Sequence, residues 1–485
     1  MMSTSRSRPP HILAICVSFA GTMAEWRTVT FDTPTAEPSL NIEQQKIIGG
    51  GMPIGNGETT ATVFPVTRAF STSPDFELHE GVHVWLGMMT AMASDMAPFS
   101  LGIVSVVTDP PLGSDGFQQS LFLTNATVVI STSVGTVTVW VDSSSNAAHA
   151  IVSGPWRSVN VSVQSVHPAT RFAYSSRCSN ATSAADVWSR PAGAASVGLS
   201  HRNMDEDVAL FNQPAAFNAT LRQQGLGAHV DALQGSDRWR GRQFGLVVSG
   251  DGLVADHVCA SCLVSQGSSS VYEVRITTLA EQTVDGSAWE AAAADRHRTA
   301  SSSAARSRRA HNEWWATFWE RSHIWVSGTD AGLANLTDRY AQTRYVQAIQ
   351  AGTWVPIKFN GMAFSGTSQL PPEKASSGPD YRQWGSCNWW QNTRLAYWNM
   401  HYAGDFDSMA TIFEYYHQML PFLQARTAAA FNHSGIYTTE CAAESDPHPR
   451  AAFARTDRAC DRLKALRPHR SSPTGDRELG RSRAR

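Results

Sequence analysis

The sequence predicts a β + α multidomain protein, in which a large antiparallel β-sandwich is followed by a helical region. A chain of 485 residues is too long for one ordinary domain, and its apolar content of 42% is enough for large cores. The first half alternates apolar and polar residues with period two, whereas the second half carries apolar residues at helical spacing. These observations place strands first and helices second.

The charge balance excludes one class of partner. Charged residues make up only 16% of the chain and the formal net charge is −2. Nucleic-acid binding needs a basic face, which this composition does not suggest. We therefore predict no nucleic-acid partner.

The N-terminus resembles a secretory signal peptide. Arg6 and Arg8 form a basic start, the stretch 11–20 is mostly apolar, and Ala24 ends a small-residue cleavage site. The apolar stretch is too short to span a bilayer, and no later stretch reaches that length. We expect cleavage of a signal peptide at residues 1–24, secretion of the chain from Glu25 onward, and no membrane association afterwards. A retained anchor is the alternative.

Sequons and cysteines fit an extracellular protein. With Cys16 in the signal, six cysteines remain, and in an oxidising compartment some of them should pair. Cys259-x-x-Cys262 could be a redox motif or half a zinc site, but a small disulfide loop or a bond to Cys178 is favoured. The Asn-x-Ser/Thr sequons predict surface positions if glycosylated, and they begin at Asn125, Asn160, Asn180, Asn218, Asn335 and Asn432.

Residues 25–287 form the predicted sandwich domain. β-branched residues alternate with polar ones at 136–141, 158–164 and 272–276, as in half-buried strands. Clusters of Gly, Pro, Ser and Asp, such as that at 109–113, separate the strands. No apolar pattern of helix length interrupts them, so an antiparallel sandwich is expected.

A glycine-rich turn lies near the start of this domain. Residues 50–57 read GGMPIGNG, and their glycines can adopt positive φ angles. The Lys-Ser/Thr ending of a phosphate-binding loop is missing. The segment is therefore predicted to be a structural turn.

Residues 288–327 are predicted to form a linker helix region. The segment 289–295 strongly favours a helix. Further on, His311, Trp315, Phe318 and Trp319 share one helical face. Packing between the sandwich and the next domain is the favoured role for these aromatic residues, and sugar binding is the alternative.

Residues 333–350 are predicted to form the next helix, which Gly352 ends. The loop 356–361, PIKFNG, then presents the polar side chains of Lys358 and Asn360. Substrate contact and local hydrogen bonding within the loop are equally open for both residues.

Residues 405–431 show the clearest helical pattern. An apolar stripe predicts a face that packs against a partner helix, and Pro421 should kink or break the helix. Asp405 is a plausible N-cap. The stripe comprises Phe406, Met409, Phe413, Tyr416, Leu420 and Leu423.

The chain is organised around the stretch 383–406, QWGSCNWWQNTRLAYWNMHYAGDF. Four tryptophans lie beside amide side chains and Arg394. Aromatic faces suit the apolar C–H faces of a sugar ring, and amides donate and accept hydrogen bonds as hydroxyl groups do. A buried aromatic core is the alternative, because tryptophan is usually buried.

Several motifs carry a family resemblance. The run QNTRLAYW at 391–398, followed by GDF, is similar to a signature of the (α/α)6-barrel glycoside hydrolases allied to the α-L-fucosidases. PIGNG at 53–57, PIKFNG and the aromatic run from Trp314 to Ser322 resemble elements of the same relatives, in the same order. The chain also resembles family 5703 of the domains of unknown function, which is allied to these hydrolases. Asn399 stands where the signature has proline.

The resemblance implies a fold and a substrate. It implies a supersandwich followed by the first helices of a truncated (α/α)6 barrel at residues 328–440. It also implies a carbohydrate substrate, with no cofactor and no metal. Glycoside hydrolysis normally uses two carboxyl groups.

The resemblance also implies site residues. NHSGIYTTE at 432–440 resembles a turn that ends in a carboxylate, which makes Glu440 the candidate general acid, and Asn392 would help to position water. The second carboxylate is not visible, so a carbohydrate-binding or inactive homologue is the alternative. The sugar site would be lined by Trp390, Asn392, Arg394, Lys358, Asn360 and Trp384.

Residues 441–485 differ from the rest of the chain. Ten arginines fall between Arg450 and Arg485, with Phe453 as the one aromatic residue. A basic tail that binds acidic partners is one interpretation. We favour another, in which the chain has left the family's sequence after Glu440 and the tail is disordered.

Overall fold

The fold is described from a computed structural model. The described residues are 28–34, 51–67, 70–73, 76–93, 98–167, 170–172, 180–182, 184–192, 195–203, 221–222, 225–233, 238–239, 241–301, 304–326, 331–358, 388–438 and 441–442. The predicted signal peptide and all but two residues of the predicted tail lie outside them.

The described strands are numbered along the chain. They are β1 (Thr28–Phe31), β2 (Met52–Gly55), β3 (Thr59–Val66), β4 (Phe70–Ser73), β5 (Phe76–Leu78), β6 (Gly81–Met92), β7 (Pro98–Asp109), β8 (Gln118–Phe122), β9 (Thr127–Ser131), β10 (Thr136–Val141), β11 (Ala147–Trp156), β12 (Ser158–Gln164), β13 (Thr170–Phe172), β14 (Asn180–Thr182), β15 (Val187–Ser189), β16 (Ser196–Arg202), β17 (Arg242–Gly250), β18 (Leu253–Ala255), β19 (Cys262–Ser265), β20 (Ser269–Gln282), β21 (Asn388–Trp389) and β22 (Cys441–Ala442).

Helices follow mainly after the strands. They are α1 (Val230–Leu233), α2 (Gly286–Ser301), α3 (Ala304–Arg321), α4 (Ala331–Ala348), α5 (Trp390–Thr393), α6 (Trp398–Ala403), α7 (Phe406–Gln418) and α8 (Leu420–Phe431). Short 3₁₀ turns lie at Gly227–His229 and Arg394–Ala396. Among the described helices, none is long and apolar enough to cross a membrane.

Two large antiparallel sheets dominate the architecture, as the period-two alternation predicts. The nine-stranded sheet has the order β1-β8-β9-β10-β11-β20-β17-β16-β15, and the seven-stranded sheet has the order β18-β19-β12-β7-β6-β3-β2. The alternating segments at 136–141, 158–164 and 272–276 lie in β10, β12 and β20. Small two-stranded sheets are formed by β4-β5, β13-β14 and β21-β22.

The main core lies between the two large sheets. Alternate residues of facing strands contribute to one hydrophobic cluster, including Val84 and Val104 of the seven-stranded sheet and Val139 and Val274 of the nine-stranded sheet. Burial of apolar side chains stabilises such a core by about 25 cal/mol per Å². Because Val137, Val139 and Val141 share one strand face, their alternation in sequence becomes burial in this core.

Helix α3 docks its aromatic face onto the nine-stranded sheet. Trp315, Phe318 and Trp319 are buried in the main core. Trp319 donates its indole N–H to the carbonyl of Leu123 at 2.9 Å. These aromatic residues therefore pack against the sandwich, as predicted. Because they are buried, they do not support the alternative of sugar binding on this face.

The glycine-rich turn docks against the end of α4. Gly57 has φ +94°, and its N–H donates to the carbonyl of Ile349 at 3.1 Å. Gly352 donates back to the carbonyl of Gly57 at 2.9 Å. A Cβ on Gly57 would lie 2.6 Å from the Cα of Gly352, so only glycine permits this approach. The turn thus joins the sandwich to the helical region.

A buried ion pair holds the start of α7. Asp405 occupies the predicted N-cap position, but its side chain makes no capping hydrogen bond. Its carboxylate instead accepts two hydrogen bonds from Arg344 of α4, at 2.9 and 2.7 Å. The guanidinium also stacks on Phe318 at 4.3 Å. The cap prediction was therefore wrong about the side chain, because a buried arginine binds a carboxylate more strongly than a backbone N–H does.

The pattern at 405–431 forms two helices. Helix α7 ends at Gln418 and Pro421 lies in the first turn of α8, where its missing N–H costs no hydrogen bond. The predicted stripe was partly wrong, since Phe406 and Phe413 are exposed. The buried face of α7 instead contains Ile412 and Tyr415, which pack with Tyr397.

The Cys259–Cys262 motif forms a disulfide between β18 and β19. This is the small disulfide loop that the sequence favoured over a redox or zinc motif. Of the sequon asparagines with described side chains, Asn160, Asn335 and Asn432 are exposed and Asn125 is partly buried.

Candidate functional site

The central stretch folds into a compact turn. Residues 388–403 pass from β21 through α5 and a 3₁₀ turn into α6. Tyr397 anchors this turn, because its buried hydroxyl accepts a hydrogen bond from the N–H of Ile357 at 2.7 Å. Burial raises the pKa of Tyr397 to about 12, so the hydroxyl stays protonated at neutral pH. The PIKFNG loop and the aromatic stretch are thereby held together.

An amide pair ties α6 to α4. The Nδ2 of Asn399 donates to the Oε1 of Gln347 at 2.8 Å, and the Nε2 of Gln347 donates to the Oδ1 of Asn399. The same Nε2 also donates to the carbonyl of Ala396. Asn399 is the residue that departs from the proline of the related signature. The asparagine that stands in place of this proline thus forms hydrogen bonds with Gln347 on another helix.

Aromatic and polar side chains on this turn reach the surface. Trp390 is 41% exposed and meets the ring of Tyr416 edge-on at 5.2 Å. Asn392 is exposed. Arg394 lies partly buried over the exposed ring of Trp398, with its guanidinium carbon 5.2 Å from the ring centre. Two aromatic rings, an amide and a cation are therefore at least partly exposed within the stretch Trp390–Trp398.

The remaining predicted site residues differ from this group. Lys358 is buried, with 1% of its surface exposed. Substrate contact through its ammonium group would therefore require the loop to move. Asn360, Trp384 and Glu440 lie outside the described residues.

A short strand pair brings two motifs together. Asn388 pairs with Ala442 and Trp389 pairs with Cys441, in antiparallel register. Trp389 directly precedes Trp390 in the sequence, and Cys441 directly follows Glu440. The residue that precedes the exposed aromatic turn is thus paired with the residue that follows the NHSGIYTTE segment in the sequence.

Asn388, one of the amides that the sequence places beside the tryptophans, is unexpectedly buried in this pair. Asn388 is fully buried, and neither its Oδ1 nor its Nδ2 has a hydrogen-bond partner among the described residues. A buried amide without a partner costs about 1–3 kcal/mol, so another group is expected to bind it. The sequence marks Asn388 and Asn392 alike as amides of the stretch, and no local pattern indicates that Asn388 is buried whereas Asn392 is exposed.

The acids that follow the signature are both engaged by arginine. The carboxylate of Asp405 binds Arg344. Asp407 accepts two hydrogen bonds from Arg321, at 2.6 and 2.9 Å, and this pairing is the main reason that the pKa of Asp407 is lowered. The carboxylate of Asp407 is therefore not poised to act as a general acid, which needs a raised pKa.

A β-sandwich of two large sheets, joined to helices that carry an exposed aromatic turn, defines a β + α protein with a candidate ligand site. The chain belongs to the family DUF5703_N, a domain of unknown function (DUF5703), which matches residues 43–324. The matched range includes the glycine-rich turn and α3. Kinship with the α-L-fucosidases stays a prediction.

Comparisons with other proteins add little beyond the family. No curated protein matches the chain. One similar structure, from the human microbiome, is provisionally described as a kojibiose phosphorylase, with 10% identity, a TM-score of 0.47, and coverage of 88% of this chain and 53% of that one. Another is a bacterial glucoamylase complexed with acarbose, with 9% identity, a TM-score of 0.33, and coverage of 93% and 58%. The chain thus spans little more than half the length of both, and these scores carry no functional inference.

Proposed function

We propose that this protein binds carbohydrate at the turn Trp390–Trp398 and cleaves a glycosidic bond with Glu440 as the general acid. The observation that carries the proposal is the pairing of Trp389 with Cys441. It joins the exposed aromatic turn to the peptide that follows Glu440 in the sequence. The proposal also rests on the resemblance of both motifs to those of glycoside hydrolases.

The chemistry of the turn suits a sugar. The exposed ring of Trp390 offers an apolar face for the C–H groups of a pyranose. Asn392 can donate and accept hydrogen bonds, whereas Arg394 can only donate. We expect Trp390 to supply contact area and the two polar residues to fix the orientation of the hydroxyl groups. Asn360 and Trp384 are proposed as further contacts on the same basis of resemblance.

Glu440 would supply the proton. In glycoside hydrolysis a protonated carboxyl group protonates the leaving oxygen, while a second carboxylate acts as base or nucleophile. Apolar surroundings raise the pKa of such an acid. The second carboxylate is not assigned, since Asp405 and Asp407 are both paired with arginine.

The test is release of sugar from plant or algal polysaccharide fragments by the full chain. Wild type is expected to release product, and Glu440→Gln is expected to release none because glutamine cannot donate the proton. Glu320→Gln, which changes an exposed glutamate of α3, is the matched control and should keep wild-type turnover. Equal turnover in Glu440→Gln and wild type would contradict the role of Glu440.

Binding without hydrolysis is the second candidate. The engagement of Asp405 and Asp407 by arginine favours it, because both carboxylates that follow the signature are then unsuited to catalysis. In this case wild type would bind a glycan without releasing sugar from it. Retained binding by Glu440→Gln together with zero turnover by wild type would establish this candidate over the hydrolase.

Secretion is part of the proposal. Peptide mapping of the protein from its native secretions is expected to give an N-terminal peptide that starts at Glu25. Peptides from residues 442–485 in the same map would establish that the arginine-rich tail belongs to the secreted chain. An N-terminal peptide from residues 1–24 would contradict signal cleavage.

A further inference from the structure

Two histidines and an aspartate meet at one edge of the sandwich. The Nδ1 of His167 lies 2.6 Å from Asp186 Oδ2, and the Nδ1 of His201 lies 2.9 Å from Asp186 Oδ1. All three side chains are at least nine-tenths buried. Potential ligand atoms of the three residues lie within 4.8 Å of one another. This His–Asp–His cluster is remote in sequence from the aromatic turn.

The fold fixes the cluster through both large sheets. Val187 of β15 pairs with Ser200 of β16, and this antiparallel register places the preceding Asp186 opposite His201. His167 follows β12, a strand of the other sheet. The cluster therefore joins the β15 edge of the nine-stranded sheet to the end of β12, an inner strand of the seven-stranded sheet.

The ring of Phe99 packs against both imidazoles. Its centroid lies 3.9 Å from that of His167 and 4.3 Å from that of His201. Phe99 belongs to β7, so this contact also comes from the seven-stranded sheet. Such packing limits the rotation of both histidines, which is what a preformed ligand set requires.

We propose that this cluster binds one divalent transition-metal ion, of which Zn²⁺ is the best match. Two imidazole nitrogens and one carboxylate oxygen are a ligand set that Zn²⁺ accepts in proteins. Bonds of about 2.0–2.2 Å bring such ligands to roughly 3.3 Å from one another in a tetrahedral site. The ligand atoms would therefore need to shift only slightly, and a water molecule could complete the site.

Neighbouring groups support a charged carboxylate. The hydroxyl of Ser165 donates to Asp186 Oδ2 at 2.5 Å. On metal binding, each imidazole proton at Nδ1 would move to Nε2 or to solvent, and Ser165 would keep orienting the carboxylate.

The site has no consensus spacing in the sequence. His167 and His201 stand 34 residues apart with Asp186 between them, in a region where the sequence analysis predicts no metal. Only the register of β15 with β16 and the crossing to β12 bring the three together. The inference is independent of the carbohydrate proposal.

The first test measures metal retention by the full-length protein. Chelator-treated protein is incubated with Zn²⁺, passed over a desalting column and analysed by mass spectrometry of the metal. Wild type should retain one equivalent of Zn²⁺ more than either Asp186→Asn or His201→Gln. The affinity of each variant for Zn²⁺ should be at least tenfold lower than that of wild type. His149→Gln is the matched control, because His149 also faces a carboxylate, that of Glu273 at 3.4 Å. It should retain zinc as wild type does.

Equal zinc retention by wild type and both cluster variants would overturn the proposal, since the metal would then sit elsewhere. If the variants fail to fold, wild type alone decides. Co²⁺ is added to the chelator-treated wild type, and visible absorption bands of a four-coordinate site, displaced by equimolar Zn²⁺, are expected. A spectrum equal to that of free aqueous Co²⁺ would show a hydrogen-bonded cluster without a metal and would overturn the inference.

Discussion

Arg344→Met is expected to destabilise the protein by about 3–5 kcal/mol, because it leaves the buried carboxylate of Asp405 without its partner. Arg344 is fully buried, and its guanidinium bridges α4, the end of α3 and the start of α7. Arg321, whose Nη1 lies 3.5 Å from Asp405 Oδ1, is too poorly placed to replace both hydrogen bonds. Chemical denaturation of both proteins would measure the loss.

A control variant and a double variant test whether the unpaired carboxylate of Asp405 causes this loss of stability. Arg321→Met removes a more exposed partner of Asp407 and should cost about 1 kcal/mol or less. The double variant Arg344→Met/Asp405→Leu should recover much of the loss, because no uncompensated charge remains in the interior. A double variant no more stable than Arg344→Met would contradict the importance of the stranded carboxylate.

Acidification from pH 6.5 to pH 4 is expected to remove several kcal/mol of stability through buried histidines. Burial lowers the pKa of His83, His297 and His311 from 6.5 to about 4. One pKa unit corresponds to about 1.4 kcal/mol, so each residue can contribute at most about 3 kcal/mol. The unfolded chain binds more protons than the folded chain in this range, so stability is complete above pH 6.5 and falls as the pH approaches 4.

Burial is the main reason that the pKa of His311 is lowered, and the hydrogen bond to its Nδ1 also favours the neutral ring. Its Nδ1 accepts a hydrogen bond from the N–H of Ser143 at 3.2 Å, and its Nε2 donates to the carbonyl of Asn125 at 2.6 Å. A proton on Nδ1 would face the N–H of Ser143 and break this bond. The hydrogen bond to Asn125 and the charge of Asp142 favour the protonated ring, whereas the charge of Arg308 disfavours it.

Thermal unfolding at a series of pH values tests this account. The melting temperature should fall steadily below pH 6.5. His311→Gln, which keeps a donor and an acceptor but does not titrate, should show a shallower fall than wild type after subtraction of any constant loss. A melting temperature that is flat between pH 6.5 and pH 4 would contradict the assignment of neutral buried histidines.

Much of the sandwich follows from the sequence because one face of each strand is buried. The alternation at 136–141 becomes β10, with Val137, Val139 and Val141 in the core. Pro421 correctly predicts a helix break, since proline is tolerated only in the first turn. The strand order, in contrast, depends on pairings between distant segments that local patterns do not encode.

The site was harder to predict because its partners lie far apart in the chain. The sequence presents Asp405 as a helix cap, but the arginine that binds it lies 61 residues away. Lys358 lies in a loop motif that the sequence suggests is exposed, yet it is buried, next to Ile357, whose N–H binds Tyr397. The sequence gives the chemical type of such residues, whereas tertiary contacts determine whether their side chains are exposed to solvent.

Glycan binding by Trp390→Ala is the most direct test of the central claim. The affinity of wild type for the glycan that it binds best is compared with that of Trp390→Ala and of Trp188→Ala. Trp188 is the matched control, because it is 44% exposed, close to the 41% of Trp390, and lies on β15 at the edge of the nine-stranded sheet. We predict a loss of about tenfold or more for Trp390→Ala and wild-type affinity for Trp188→Ala. Equal affinities for all three proteins would contradict a carbohydrate site on this turn.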